Sequence, residues 1–120
     1  MKLYPTSMVI QLHGFANSSR KHFPGKTADM VVSNGTNITD KKTTSLASCL
    51  SRQLKLNVMV YPIDIHDLGA TQNIQGNYIN LTNPGHFIHI EMNKRTRHFI
   101  AHNSTAINRF TTCILSTVND

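Results

Sequence analysis

The hydrophobic pattern along the chain alternates between short β-branched runs and stretches with helical spacing. Ser7 to Leu12 is apolar and β-branched enough for a buried strand that runs into His13-Gly14. Phe15 to Thr27 is polar and carries Asn17-Ser18-Ser19 and Pro24-Gly25, which predicts a loop. A second short strand is expected over Ala28 to Ser33, stopped by Asn34-Gly35. Thr39 or Asp40 then caps a helix whose apolar stripe is Leu46, Cys49, Leu50 and Leu54. Asn57 to Tyr61 reads as a third strand, ended by Pro62, and Phe87 to Met92 as a fourth. Alternation along the fourth puts Phe87, His89 and Glu91 on one face. Ala106, Ile107, Phe110, Cys113 and Ile114 keep helical spacing, with Ser104 as the expected cap.

Between the third and fourth strands, Ile63 to Gly85 shows no sustained period and is rich in Gly and Asn. A polar connection longer than about 15 residues inside a compact domain is usually functional or disordered. Leu68, Ile74, Tyr78 and Ile79 argue for an ordered, functional loop. The element order β, β, α, β, β, α predicts one α/β domain over residues 1 to 120. It should be layered, with a mainly parallel or mixed sheet flanked by helices. Ligands of such sheets bind beyond the carboxyl ends of the strands, which is where His13, Asn34, the Pro62 loop and Glu91 fall.

Composition narrows the partners. Hydrophobic residues are 39% and charged residues 15%, a globular balance, and no apolar run approaches the roughly 20 residues that span a bilayer. No membrane partner is therefore expected. Met1-Lys2-Leu3-Tyr4-Pro5 has one lysine and then a proline, with no apolar run behind it, so the expected compartment is cytoplasmic. On that expectation the four Asn-x-Ser/Thr sequons carry no weight, and Cys49 and Cys113 read as two buried free thiols. A disulfide or a thiolate metal site is the alternative for the cysteines. The formal charge of +6 favours an anionic partner: nucleic acid, an anionic surface, or a substrate bearing a carboxylate. Lys94, Arg95 and Arg97 cluster after the fourth strand, while Arg20, Lys21 and Lys26 share a loop. With no Trp, and aromatics not interleaved with the basic residues, nucleic-acid binding ranks third among the functional readings.

Two residues stand out chemically. His13 closes a buried strand and precedes a glycine, a position suited to a metal ligand or general base. Glu91 is a carboxylate within an apolar strand. Burying it unpaired is costly, so it should pair with a cation, bind a metal, or have a raised pKa. His89, two residues earlier, is placed to orient it. His86 and His89 point to opposite faces of a regular strand and make poor co-ligands. Asp64, His66 and Asp67 read as a hydrated loop cluster.

The run from His13-Gly14 through Ala28-Asp29-Met30-Val31-Val32-Ser33-Asn34-Gly35 and Val58-Met59-Val60-Tyr61-Pro62 to Ile88-His89-Ile90-Glu91-Met92-Asn93-Lys94-Arg95 resembles a known family. It is similar to the C-terminal half of N-formylglutamate amidohydrolase-like proteins, relatives of zinc carboxypeptidases, over about residues 7 to 118. The best match is Ile90-Glu91-Met92-Asn93-Lys94, which looks like that family's Ile-Glu-x-Asn-Arg. The resemblance implies part of a zinc-carboxypeptidase-like fold and zinc-dependent amide hydrolysis. His13 would be a zinc ligand and Glu91 the residue that activates water and passes its proton to the leaving amine. Lys94, Arg95 or Arg97 would hold a substrate carboxylate, with Arg20 and Asn34 as further binding candidates. The family's His-x-x-Glu, source of two more ligands, is missing here, and Lys94 and Arg97 replace its Arg and Tyr. His66, His86 or His22 would have to complete the set. The competing expectation is a non-catalytic α/β binding domain that has lost its metal, and a bare sheet edge would favour a homo-oligomer.

Overall fold

The computed structural model describes residues 7–119, so the opening Met1 to Pro5 stretch lies outside the described residues. Among these residues the chain forms an α/β domain with a four-stranded mixed sheet and five α-helices. The strands are β1 (Val9–Phe15), β2 (Met30–Ser33), β3 (Val58–Val60) and β4 (Phe87–Asn93), in spatial order β1-β4-β2-β3. β1 pairs parallel with β4 and β2 parallel with β3, while β2 and β4 run antiparallel at the centre. The expectation of a mainly parallel or mixed sheet therefore resolves to mixed.

Helix α2 (Lys41–Leu54) starts where Asp40 accepts a hydrogen bond from the Thr43 amide, and it ends at Lys55 in the left-handed conformation. Its stripe of Leu46, Ala47, Leu50 and Leu54 packs on one face of the sheet. Helix α5 (Ser104–Val118) adds Ala106, Phe110 and Cys113 to the same core, against Met30, Val32, Ile88, Ile90 and Met92. Its cap is Asn103, whose side chain accepts from the Ala106 amide, one residue before the expected Ser104.

Three helices arise where the sequence pattern predicts none. Helix α1 (Phe23–Thr27) is a single turn inside the expected loop. Helix α3 (Ile74–Thr82) lies within the long Gly/Asn segment, capped by Asn73, and buries only Gly76 and Ile79. Helix α4 (Lys94–Ala101) carries the basic cluster and buries only Thr96 and Ile100. None of the three has the wide apolar stripe that marks a helix by period. Side-chain caps from Asn73 and Asn93 and contacts with β4 hold α3 and α4 instead, while α1 has no side-chain cap.

The cysteines correct the expectation of free thiols, since Cys49 and Cys113 form a disulfide. Both sit on the facing stripes of α2 and α5, whose packing brings the two Cα atoms to 5.7 Å. That separation is within the range a disulfide spans. The bond closes a loop over a sequence separation of 64. Replacing both cysteines with serine is expected to lower the unfolding free energy by about 2–4 kcal/mol. Urea denaturation of the oxidised protein and the double variant measures this, and equal midpoints would contradict it.

Candidate functional site

The opposite face of the sheet from α2 and α5 carries the polar side chains. Register fixes them: His13 lies beside Glu91 and Gln11 beside His89 across β1 and β4. On the other side of β4, Val31 lies beside Glu91 and Ser33 beside His89. Because strand side chains alternate, Gln11, His13, His89, Glu91, Val31 and Ser33 share this face. It is covered by the segment after β3. Ile65 is buried with Phe15, Ala28 and Val31, and Met59, Tyr61 and Leu68 pack around them.

Hydrogen bonds tie that covering segment down. Ser33 donates from Oγ to the Gly69 carbonyl at 2.6 Å and accepts from the Gly35 amide at 2.9 Å. Asn73 donates to the Gln11 side-chain oxygen at 2.6 Å, and the Gln11 amide group donates to Gln75. The long loop thereby forms one side of an open cleft of about 400 Å³ whose walls include Tyr61, His66, Asp67 and Asn73. His13, His89 and Glu91 line the same cavity.

Those three side chains converge, each offering one donor atom, with the donor atoms all within 4.8 Å of one another. The imidazole rings of His13 and His89 have centroids 4.6 Å apart, and His89 Nε2 stands 4.0 Å from Glu91 Oε2. His89 is only 2% exposed. Burial, aided by the charge of His13, pushes its pKa down to about 4, so its imidazole is neutral at pH 7. Burial raises the pKa of Glu91, against the opposing pull of His13, Arg20 and Arg97. His89 Nδ1 and Glu91 Oε1 are buried without a hydrogen-bond partner. Polar atoms so placed are rare in folded proteins and call for a reason.

Two imidazoles and a carboxylate are donors that zinc accepts. Tetrahedral zinc with bonds near 2.0–2.1 Å needs its donors roughly 3.3 Å apart. The cluster would have to contract by rotations of the side chains, and exposed His13 has room for one. The donor types fit the ion, and their spacing does so only after that contraction.

The remaining sequence candidates separate. Arg97 stays with the cluster: its Nη1 donates to the Met92 carbonyl at 2.7 Å and it lies across Gly14. A Cβ on Gly14 would sit 2.3 Å from that nitrogen, so the glycine is what lets the guanidinium reach the strand. Arg20 is half-buried and close enough to act on Glu91. Lys94 and Arg95 line a different cavity, beside Ala16, Asn17 and His98, and Arg95 pairs with Asp29 at 3.1 Å. Asn34 is engaged in its own turn. Its side chain accepts from Thr36 and donates to the Ile38 carbonyl and to Asp40. Asn93, from the motif resembling Ile-Glu-x-Asn-Arg, caps α4 and bonds to Asn17 and Asp29. Of the histidines expected to complete a metal set, His66 reaches the cavity wall, His22 lies in a neighbouring chamber, and His86 is bonded to the Ser7 carbonyl.

The residue the sequence undervalued is His89. Its shared face with Glu91 was visible in the alternation of β4, but its neighbour His13 depended on the β1·β4 register. The buried neutral imidazole has a measurable consequence in metal-free protein. Its folded pKa lies below the unfolded 6.5, so between those values the unfolded chain binds more protons. Stability from this group is present above pH 6.5 and is lost as pH falls toward 4, by about 3 kcal/mol in all. Glu91 acts with the opposite sign, losing stability as pH rises through its raised pKa. Urea unfolding in chelator from pH 7 to pH 4 should therefore show a flatter acid slope in His89→Gln than in the unsubstituted protein, and parallel slopes would refute it. No family model, no curated protein and no solved structure matches the chain.

Proposed function

We propose that the chain is a metal-dependent amide hydrolase of the zinc-carboxypeptidase or N-formylglutamate-amidohydrolase type, acting on a small or peptide-like substrate that bears a carboxylate. The observation that carries this reading is the convergence of His13, His89 and Glu91 within 4.8 Å on a cavity wall. The raised pKa of Glu91 and the orphaned polar atoms add to it. The resemblance of residues 7 to 118 supplies the reaction type and the partial zinc-carboxypeptidase-like fold, with His89 filling part of what the missing His-x-x-Glu would provide.

His13 and His89 would hold the ion, the latter ready as a neutral donor at pH 7. Zinc held there would supply Lewis-acid activation of water and of the substrate carbonyl. Glu91 takes the proton from the attacking water at a carboxylate oxygen and returns it to the leaving amine, a role favoured by a pKa nearer neutrality. Arg97 places a positive charge beside the cluster.

The absence of His-x-x-Glu favours a second reading, a binding domain that kept the cavity without metal chemistry. The Cys49–Cys113 disulfide favours an oxidising compartment over the cytoplasmic one expected from the sequence. The described helices include none long and apolar enough to cross a membrane.

Chelator-stripped protein titrated calorimetrically with zinc should bind about one equivalent, lost in His13→Ala and weakened at least tenfold in His89→Ala. Glu91→Gln should lower kcat for amine release from N-acyl amino acids by about 10²–10⁴-fold. A folded protein that takes up no zinc above background eliminates the metal mechanism and leaves the binding domain.

A further inference from the structure

Asparagine followed two residues later by serine or threonine occurs at Asn17, Asn37, Asn80 and Asn103, and a fifth time at Asn34-Gly35-Thr36. That triplet is the acceptor signal for N-linked sugars, which are added in the oxidising secretory compartment where disulfides form. The Cys49–Cys113 bond joins two packed helices. It therefore gives the triplets the weight that a cytoplasmic chain would deny them.

Geometry sorts the five. A side-chain amide carries two hydrogens on Nδ2, and a sugar bonded to that nitrogen replaces one of them. Asn17 commits both, donating to the Gly25 carbonyl at 3.0 Å and to the Ala28 carbonyl at 2.9 Å. Asn34 is 7% exposed and donates to the Ile38 carbonyl at 2.9 Å and to Asp40 Oδ2 at 3.2 Å. Asn80 is half-buried and donates to the Asn34 carbonyl at 3.0 Å. Its nitrogen stands 3.4 Å from the place a Cβ on Gly35 would take, so a sugar there would push α3 off that turn.

Asn37 and Asn103 differ in each respect. Both are exposed, Asn37 in the bend between β2 and α2 and Asn103 in the turn between α4 and α5. Each engages only its oxygen. Asn37 Oδ1 accepts from the Tyr61 hydroxyl at 2.7 Å, and Asn103 Oδ1 accepts from the Ala106 amide at 2.9 Å. Among the described residues neither Nδ2 donates to a partner, and Ile38, Ser104 and Thr105 beside them are exposed as well.

We infer that Asn37 and Asn103 are N-glycosylation sites, and that Asn17, Asn34 and Asn80 stay bare in the folded chain. The co-reactant is a lipid-linked oligosaccharide diphosphate. A bond forms from the asparagine Nδ2 to the anomeric carbon of the sugar, and the bond from that carbon to the diphosphate oxygen breaks. One Nδ2 proton is lost and the lipid diphosphate leaves. The sugar on Asn37 stands next to Tyr61, which lines the cleft of His13, His89 and Glu91. The inference does not rest on the metal reading.

The test is expression of the full chain with a cleavable import leader in cultured eukaryotic cells. Leader cleavage marks the chains that entered the lumen, whether or not they leave the cell. Peptide N-glycosidase converts each glycosylated asparagine to aspartate, so peptide mapping of disulfide-bonded chain reads the sites. Asn37 and Asn103 should be converted, with two sugars by intact mass. Thr39→Val and Thr105→Ala, which keep both asparagines, should each remove one sugar, and the double variant both. His13→Ala should carry the same two, whatever its zinc affinity. Unmodified Asn37 or Asn103 in imported, disulfide-bonded chain overturns the assignment, and so does a sugar on Asn17, Asn34 or Asn80.

Discussion

The parallel pairing of β1 with β4 is the constraint on which the site depends. A shift of one residue in that ladder would turn His13 to the helical face and leave Glu91 beside a glycine or a leucine. The apolar partners hold the register. Ile10 packs toward the core of α2 and α5 in the same row as Ile88, so slipping would expose one of them and bury polar Gln11 in its place. The helical core on one face therefore positions the polar cluster on the other, although none of its residues touches the cavity.

The disulfide belongs to that same framework. It joins α2 to α5, the two helices whose stripes cover Ile88, Ile90 and Met92. β4 is thus clamped from behind along the segment that presents His89 and Glu91 in front. Strand positions held this way keep donor atoms more closely than loop positions do. His13 alone of the three stands on an edge strand and is exposed, so it is the member with freedom to move when a ligand arrives.

Much of this was legible in the sequence, for reasons that differ element by element. The four strands and the α2 and α5 stripes show in the period of apolar residues, and Glu91 shows as a charge inside such a period. Helices α3 and α4 escaped because each buries only two residues, leaving no period to read, and Asn73 and Asn93 as caps resemble loop asparagines. The pairing of the cysteines escaped because two helical stripes do not reveal that they face each other. Strand order escaped too, for β4 lies between β1 and β2, and only that crossover brings His13 to Glu91. The basic residues sorted by geometry alone: Lys94 and Arg95 are near Glu91 in sequence yet line a different cavity, while distant Arg20 acts on it.

The electrostatics of the cluster point in one direction. His89 is held neutral and Glu91 is pushed toward its protonated form, so the metal-free site keeps desolvated groups without full partners. Such an arrangement lowers stability, and proteins keep it where binding recovers the loss. A cation at the cluster would favour the ionised carboxylate and would find the imidazole already deprotonated.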